Sequence, residues 1–280
     1  MLDQIATKTL VIAVQYGRND KTLSLLESIS GARSSNSVEL VIVNNGFHDF
    51  PDSDHQLDRL EGEHFHVEVI NSPNLGYFGG ANLGVKQFRP SEHSWVIVTN
   101  NDIRFDEAFF ERLHSAKYPD NCIIVPRIIG SDGVDQNPQY TDPIPLMKRW
   151  VFTALFVAPA WIGWRLFNAL AKLYGQRGLA GRPTTFESVS RVWIPLGAIF
   201  LIPASTMQKL RKLPDESFLY GEEMLLKRSL AKFQGSFVMD PDLVVAHDES
   251  STTGSLGGLT AWKFKRCAFF KYWRFYLFGF

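Results

Sequence analysis

Asn74-Leu75-Gly76-Tyr77-Phe78-Gly79-Gly80-Ala81-Asn82-Leu83-Gly84 is the stretch on which the reading of this chain turns. A polar cluster, residues 71–74, leads into it from the end of an expected strand at 66–70. Glycines let backbone come close to a ligand. A helix start beside them offers free amides to an anion such as a diphosphate. The expected helix runs over 78–88. The spacing is neither G-x-x-x-x-G-K-[ST] nor G-x-G-x-x-G, so the usual ATP and dinucleotide readings lose support. A tight turn with close helix packing is the purely structural alternative.

Outward from that block, the first half alternates strand and helix. Short aliphatic runs at 10–14, 38–43, 95–99 and 122–125 read as buried strands, together with 66–70. Asn19 or Asp20 caps an expected helix through Leu23, Leu26 and Ile29, and another is expected at 105–114. This rhythm calls for right-handed crossovers and a mostly parallel sheet in an α/β fold. Pro138, Pro143 and Pro145 break the pattern. An aromatic, weakly charged stretch at 146–174 follows, then a glycine- and arginine-rich segment at 175–183, expected as a mobile loop. The α/β character returns at 192–202, with helices expected at 205–210 and 222–233 and a strand at 243–246. The end of the chain, 262–280, is basic and aromatic.

Composition sets the outer bounds. The 280 residues are 45% apolar with a net charge of zero, enough for a real core and without the basic excess of a nucleic-acid binder. Cys122 and Cys267 lack metal-ligand spacing and read as reduced thiols. Asp3 and Lys8 near the start argue against a signal peptide. A spanning helix needs about 20 apolar residues, and the uncharged run 151–164 falls short and contains Pro159.

In open parallel sheets, ligands bind beyond the carboxyl ends of the strands. Asn44-Asn45, residues 71–74 and Asn100-Asn101-Asp102 all end expected strands and crowd one rim. A strand-end carboxylate among neutral oxygen ligands suits Mg²⁺ or Mn²⁺ holding phosphate oxygens, although an Asx-turn would also place Asp102 there. Glu222-Glu223 opens an expected helix. The pair either complements the helix dipole or supplies a general base. His247 ends the strand at 243–246, as a metal ligand or a hydrogen-bonded structural histidine.

In this order, the motifs resemble glycosyltransferase family 2, the inverting GT-A-fold enzymes, and especially its rhamnosyltransferase-like branch. The matching blocks are 41–46, 71–82, 98–102 and 218–223, then Arg228 and His247. They cover roughly 9–130 and 190–254. The resemblance implies a GT-A catalytic domain at 1–254, with a donor-binding part at 1–130 and an acceptor part at 190–254. A helical insertion at 144–183 and a tail at 255–280 complete it. It implies that Asp102, with His247, holds the divalent metal on the donor diphosphate. It implies a donor site from Gln15, Tyr16, Asn44, Asn74, Gly76, Gly79, Gly80, Asn82, Asn100 and Asn101. Of the Glu222-Glu223 pair it makes the second acid the catalytic base. The implied donor is a dTDP- or UDP-linked sugar and the acceptor a glycan, lipid-linked, in bacterial surface polysaccharide synthesis. Asn44 and Asn100 depart from the acids usual there, and Met224-Leu225-Leu226 lacks the acid usual after the pair. Those lost acids motivate the alternative of a non-catalytic sugar-nucleotide or glycan-binding subunit. A nucleotidyltransferase is disfavoured because no basic glycine-rich loop follows the first strand.

Trp150, Trp161, Trp164, Trp262 and Trp273 are interleaved with Lys and Arg, a pattern suited to a bilayer interface. The expectation is a cytoplasmic protein, peripheral at the inner face of the cell membrane. An oligomer interface or a helical cap is the alternative use of the same residues.

Overall fold

The computed structural model describes residues 8–17, 19–34, 36–46, 64–174, 186–248 and 258–279. The loop expected at 175–183 lies outside them. One sheet organises the rest. Its strands are β1 (Lys8–Gln15), β2 (Val38–Asn45), β3 (Phe65–Ser72), β4 (His93–Asn100), β5 (Ile103–Phe105), β6 (Cys122–Gly130), β7 (Ser190–Val192), β8 (Ile199–Pro203) and β9 (Ser236–His247). Their order is β3-β2-β1-β4-β8-β6-β9-β5, with β7 also on β9. The β3-β2-β1-β4 half is parallel, as is the long β6–β9 pairing. Antiparallel β8 joins the two halves, and β5 and β7 pair antiparallel with β9.

The helices are α1 (Asn19–Ser30), α2 (Tyr77–Val85), α3 (Phe109–Ser115), α4 (Leu146–Val157), α5 (Ala160–Tyr174), α6 (Ala204–Leu210), α7 (Glu222–Ala231) and α8 (Gly258–Phe278). Successive side chains of a strand point to opposite faces, and β1 shows the result. Val11 and Ala13 enter a core that also holds Leu25, Phe109 and Phe110. Leu10, Ile12 and Val14 enter a second core on the other face, with Phe78, Met207 and Leu226. A strand buried on both faces must be apolar throughout, which is why the central strands read as continuous runs.

The helix expected at 105–114 begins only at Phe109. Asp106 Oδ1 accepts from the Ala108 amide at 3.0 Å, closing a turn, and Ile103–Phe105 pairs with β9 instead. The helix expected at 78–88 ends at Val85, ahead of Pro90. A proline disfavours helical backbone in the residue before it.

A third core joins the helical cap to the sheet domain: Ile144, Ile194, Met224, Phe269, Tyr276 and Leu277. Burying a phenylalanine such as Phe269 contributes about 1.5–3 kcal/mol. Residues 258–278 are thus a packed helix, with Trp262 buried and stacked on Phe156 at 4.7 Å. Arginines fasten it through main-chain carbonyls. Arg149 Nη1 donates to Tyr276 O at 3.1 Å, Arg266 Nε to Phe156 O at 2.7 Å and Arg228 Nη1 to Lys271 O at 2.6 Å.

Candidate active site

The registers bring the strand-end clusters together. Gln15 lies opposite Asn44, Asn44 opposite Asn71, and Val14 opposite Asn100. Ile103 and Gly130 both face His247, which sets Asp102 beside β9. All these residues lie on one rim.

Several of the asparagines are engaged with their neighbours. Asn45 organises the turn before α2. Its Oδ1 accepts from the Leu75 amide at 2.8 Å, and its Nδ2 donates to Gly76 O at 2.9 Å and to Asn74 Oδ1 at 3.3 Å. Asn44 Nδ2 donates to Asn71 Oδ1 at 2.8 Å. Asn101 Nδ2 donates to Thr22 Oγ1 at 2.9 Å, and Thr22 to Gln15 Oε1 at 2.6 Å, a buried polar chain from β4 through α1 to β1. Asn82 pairs both ends of its amide with the backbone of Leu213, at 3.0 and 2.9 Å, and so ties α2 to the segment before Asp215. Tyr16 is exposed and faces outward past β1.

The glycines serve close approaches. Gly76 has φ 78°, and a Cβ there would lie 2.2 Å from the main-chain oxygen of Phe218. The turn before α2 and the loop before α7 are therefore in direct backbone contact. Gly80 packs on the Asn45 amide, where a Cβ would fall 3.1 Å from Cγ. Gly79 has Leu75 Cβ at 3.0 Å in the same sense.

Asp102 is buried, with its Oδ1 3.3 Å from His247 Nε2. His247 Nδ1 lies 2.9 Å from Gln136 Oε1. An amide oxygen only accepts, so Nδ1 carries a proton there and Nε2 is directed at Asp102. The Asp248 amide donates to Asp102 O at 3.0 Å, linking the two strand ends. Two ligands at about 2.1 Å on one octahedral edge stand about 3 Å apart, close to the observed separation. A carboxylate oxygen and an imidazole nitrogen are fitting donors for Mg²⁺ or Mn²⁺. Among the described residues no group of three or more His, Cys, Asp or Glu could hold a metal. The protein would supply this edge and leave further positions to diphosphate oxygens and water.

Glu222 and Glu223 start α7 behind Gly221, which has φ 81°. Glu222 is buried, and Glu223 is half-buried against Gly197, where a Cβ would meet its Oε1 at 2.4 Å. Burial raises both carboxyls above their ordinary range. The neighbouring Glu223 charge adds to the rise at Glu222. The backbone N–H groups of Glu223 and Gly197, then the Lys265 ammonium, counter the rise at Glu223. Lys265 comes from α8 and sits 4.9 Å above the Tyr220 ring. Tyr272, also from α8, fills the space in front of Gly221, where a Cβ would lie 2.8 Å from its Cε1. Sequence reading assigned these α8 residues to a surface tail. Nothing local in the sequence links them to Glu223; only the basic aromatic character of the helix was visible.

No protein-family model matches the chain, and no curated protein matches it in sequence. Solved structures do. GalNAc-T7 with UDP, GalNAc and Mn²⁺ is similar at TM-score 0.59 and 12% identity, over 88% of this chain and 44% of that one. TarS 1-349 of S. aureus in complex with UDP-GlcNAc is similar at TM-score 0.54 and 12% identity, over 89% and 61%. The chain spans less than two thirds of the length of either. At this identity the likeness carries the fold alone, and that fold is the GT-A glycosyltransferase fold: a central sheet flanked by helices, with a helical cap.

Proposed function

We propose that this protein is an inverting glycosyltransferase of the family 2 type, moving a sugar from a nucleotide-diphosphate donor to a glycan hydroxyl. One observation carries the reading. Two segments that carry the motifs meet: the turn before α2, tied through Gly76 to Asn45 on the rim that holds Asp102 and His247, is in backbone contact with Phe218, four residues ahead of Glu222. Asp102 and His247 would hold Mg²⁺ or Mn²⁺, which when bound offsets charge on the departing diphosphate. Glu223 draws the proton from the acceptor hydroxyl, which attacks the anomeric carbon on the face opposite the leaving group, inverting it. Burial suits that task, because a base works best with a pKa near the operating pH. Glu222, next to it and buried, is pushed up by burial and by the Glu223 charge, which its own and the Tyr220 backbone N–H groups only partly counter.

The neighbours bear UDP-linked ligands in their names, which favours a UDP or related donor. A panel of UDP- and dTDP-sugars with and without Mn²⁺ tests the reading by thermal shift and by donor hydrolysis. At least one donor is expected to raise the melting temperature in a Mn²⁺-dependent way and to release nucleoside diphosphate. A panel in which no nucleotide sugar does either overturns it.

We further propose that the acceptor is lipid-linked and presented at a membrane surface by the helical cap. Helices α4, α5 and α8 contain no acidic residue, yet carry Lys148, Arg149, Arg165, Lys172, Lys263, Lys265, Arg266, Lys271 and Arg274. Most of the exposed large apolar side chains among the described residues lie on α4 and α5, including Met147 (81%), Trp150 (51%) and Trp161 (56%). Cations around exposed tryptophans suit an anionic lipid surface. Trp262, buried, takes no part. No helix among the described residues is long and apolar enough to cross a membrane. In flotation with phosphatidylglycerol-containing vesicles, the double variant Trp150→Ala/Trp161→Ala is expected to stay at the bottom of the gradient while wild type floats. Equal partition of both proteins refutes the surface.

A further inference from the structure

Tyr77 opens α2, immediately after Gly76. Its ring stacks on Phe78, with centroids 5.4 Å apart. Its hydroxyl is buried and has no hydrogen-bond partner among the described residues. A buried O–H without a partner is costly and uncommon in a native fold. The surroundings make it more so. Burial first, then the charges of Glu222, Asp102 and Glu223, push the phenol well above its ordinary pKa, so it is held as a proton donor. None of those carboxylates is its hydrogen-bond partner.

We propose that the Tyr77 hydroxyl is a ligand-binding group, donating a hydrogen bond to a hydroxyl of the sugar being transferred. The assignment rests on the proposed function. Asp102 with His247 marks the diphosphate end and Glu223 the acceptor end, and Tyr77 follows Gly76, which is bonded to Asn45 on the rim and abuts the Phe218 main chain that leads into α7. A sugar hydroxyl suits this position because it can accept from Tyr77 and donate to a carboxylate at once. A phosphate, which only accepts, would bring further negative charge among those carboxyls.

The test is Tyr77→Phe, which keeps the stacked ring and deletes one oxygen. The free variant is expected to melt at or above wild type, since an unsatisfied polar atom is removed. Affinity for UDP with Mn²⁺ should stay within about twofold, while affinity for the nucleotide sugar that wild type binds should fall about tenfold. The donors compared are UDP-GlcNAc, UDP-GalNAc, UDP-glucose and dTDP-rhamnose. A variant that melts several degrees lower shows a structural partner for the hydroxyl and overturns the proposal. So does an equal loss for UDP alone, or an undiminished affinity for the sugar nucleotide. Failure of wild type to bind any of the four donors overturns the proposed function and this assignment together; binding by wild type that Tyr77→Phe retains in full overturns the assignment alone.

Discussion

Glu223→Gln is expected to lower sugar transfer by about 10²–10⁴-fold, the usual loss on removing a general base, while leaving the fold intact. Release of nucleoside diphosphate from a bound donor is the rate to follow. The same variant should melt higher than wild type at alkaline pH. Burial raises the Glu222 and Glu223 carboxyls above their ordinary value of 4.5 in the folded state. Their contribution to stability is therefore full below that value and is lost as pH rises through the raised ones. Removing one of two confined charges recovers stability at pH 8, a gain that shrinks toward pH 5. Loss of the Lys265 countercharge trims this gain without reversing its direction. A rate within about fivefold of wild type removes Glu223 from the role of base, since that is less than the smallest loss expected of one.

Asp102→Ala is expected to abolish the Mn²⁺-dependent part of donor affinity, a loss of about 100-fold or more, as when a principal electrostatic stabiliser is removed. Without metal, the variant should bind UDP at least as well as wild type, because the carboxylate and the diphosphate carry like charge. Thermal shift with UDP at several Mn²⁺ concentrations reads both halves of the expectation. An unchanged Mn²⁺ response would mean that the Asp102–His247 edge is a structural contact with no cation between the two side chains.

The sequence made the strands and the rim legible for a simple reason. A strand covered on both faces has no polar positions, so 10–14, 38–43 and 95–99 stand out, and their polar ends mark where the cover stops. Phe105 was read as the start of a helix because the partner of Ile103–Phe105, β9, lies about 140 residues onward and no local pattern encodes that pairing. β9 itself is twelve residues long against the four expected at 243–246. Asp240 and Pro241 fall where the register with β6 shifts between Pro126 and Arg127. Asp102, Glu223 and His247 were singled out by order of motifs. Lys265 and Tyr272 were not, because their position beside Glu223 depends on how α8 docks, and that is fixed by arginines gripping carbonyls, a contact any sequence offers. Asn82 shows the converse: a residue conspicuous in a motif whose side chain joins two segments of the protein.

Gly76 closes a position to evolution in an unusual way. The obstacle to a side chain there is the main-chain oxygen of Phe218, an atom that every amino acid carries. No substitution at 218 can make room at 76, so the two sites cannot drift together as packed side chains do. Descendants of this chain pass through glycine at that turn or lose the junction of its two halves.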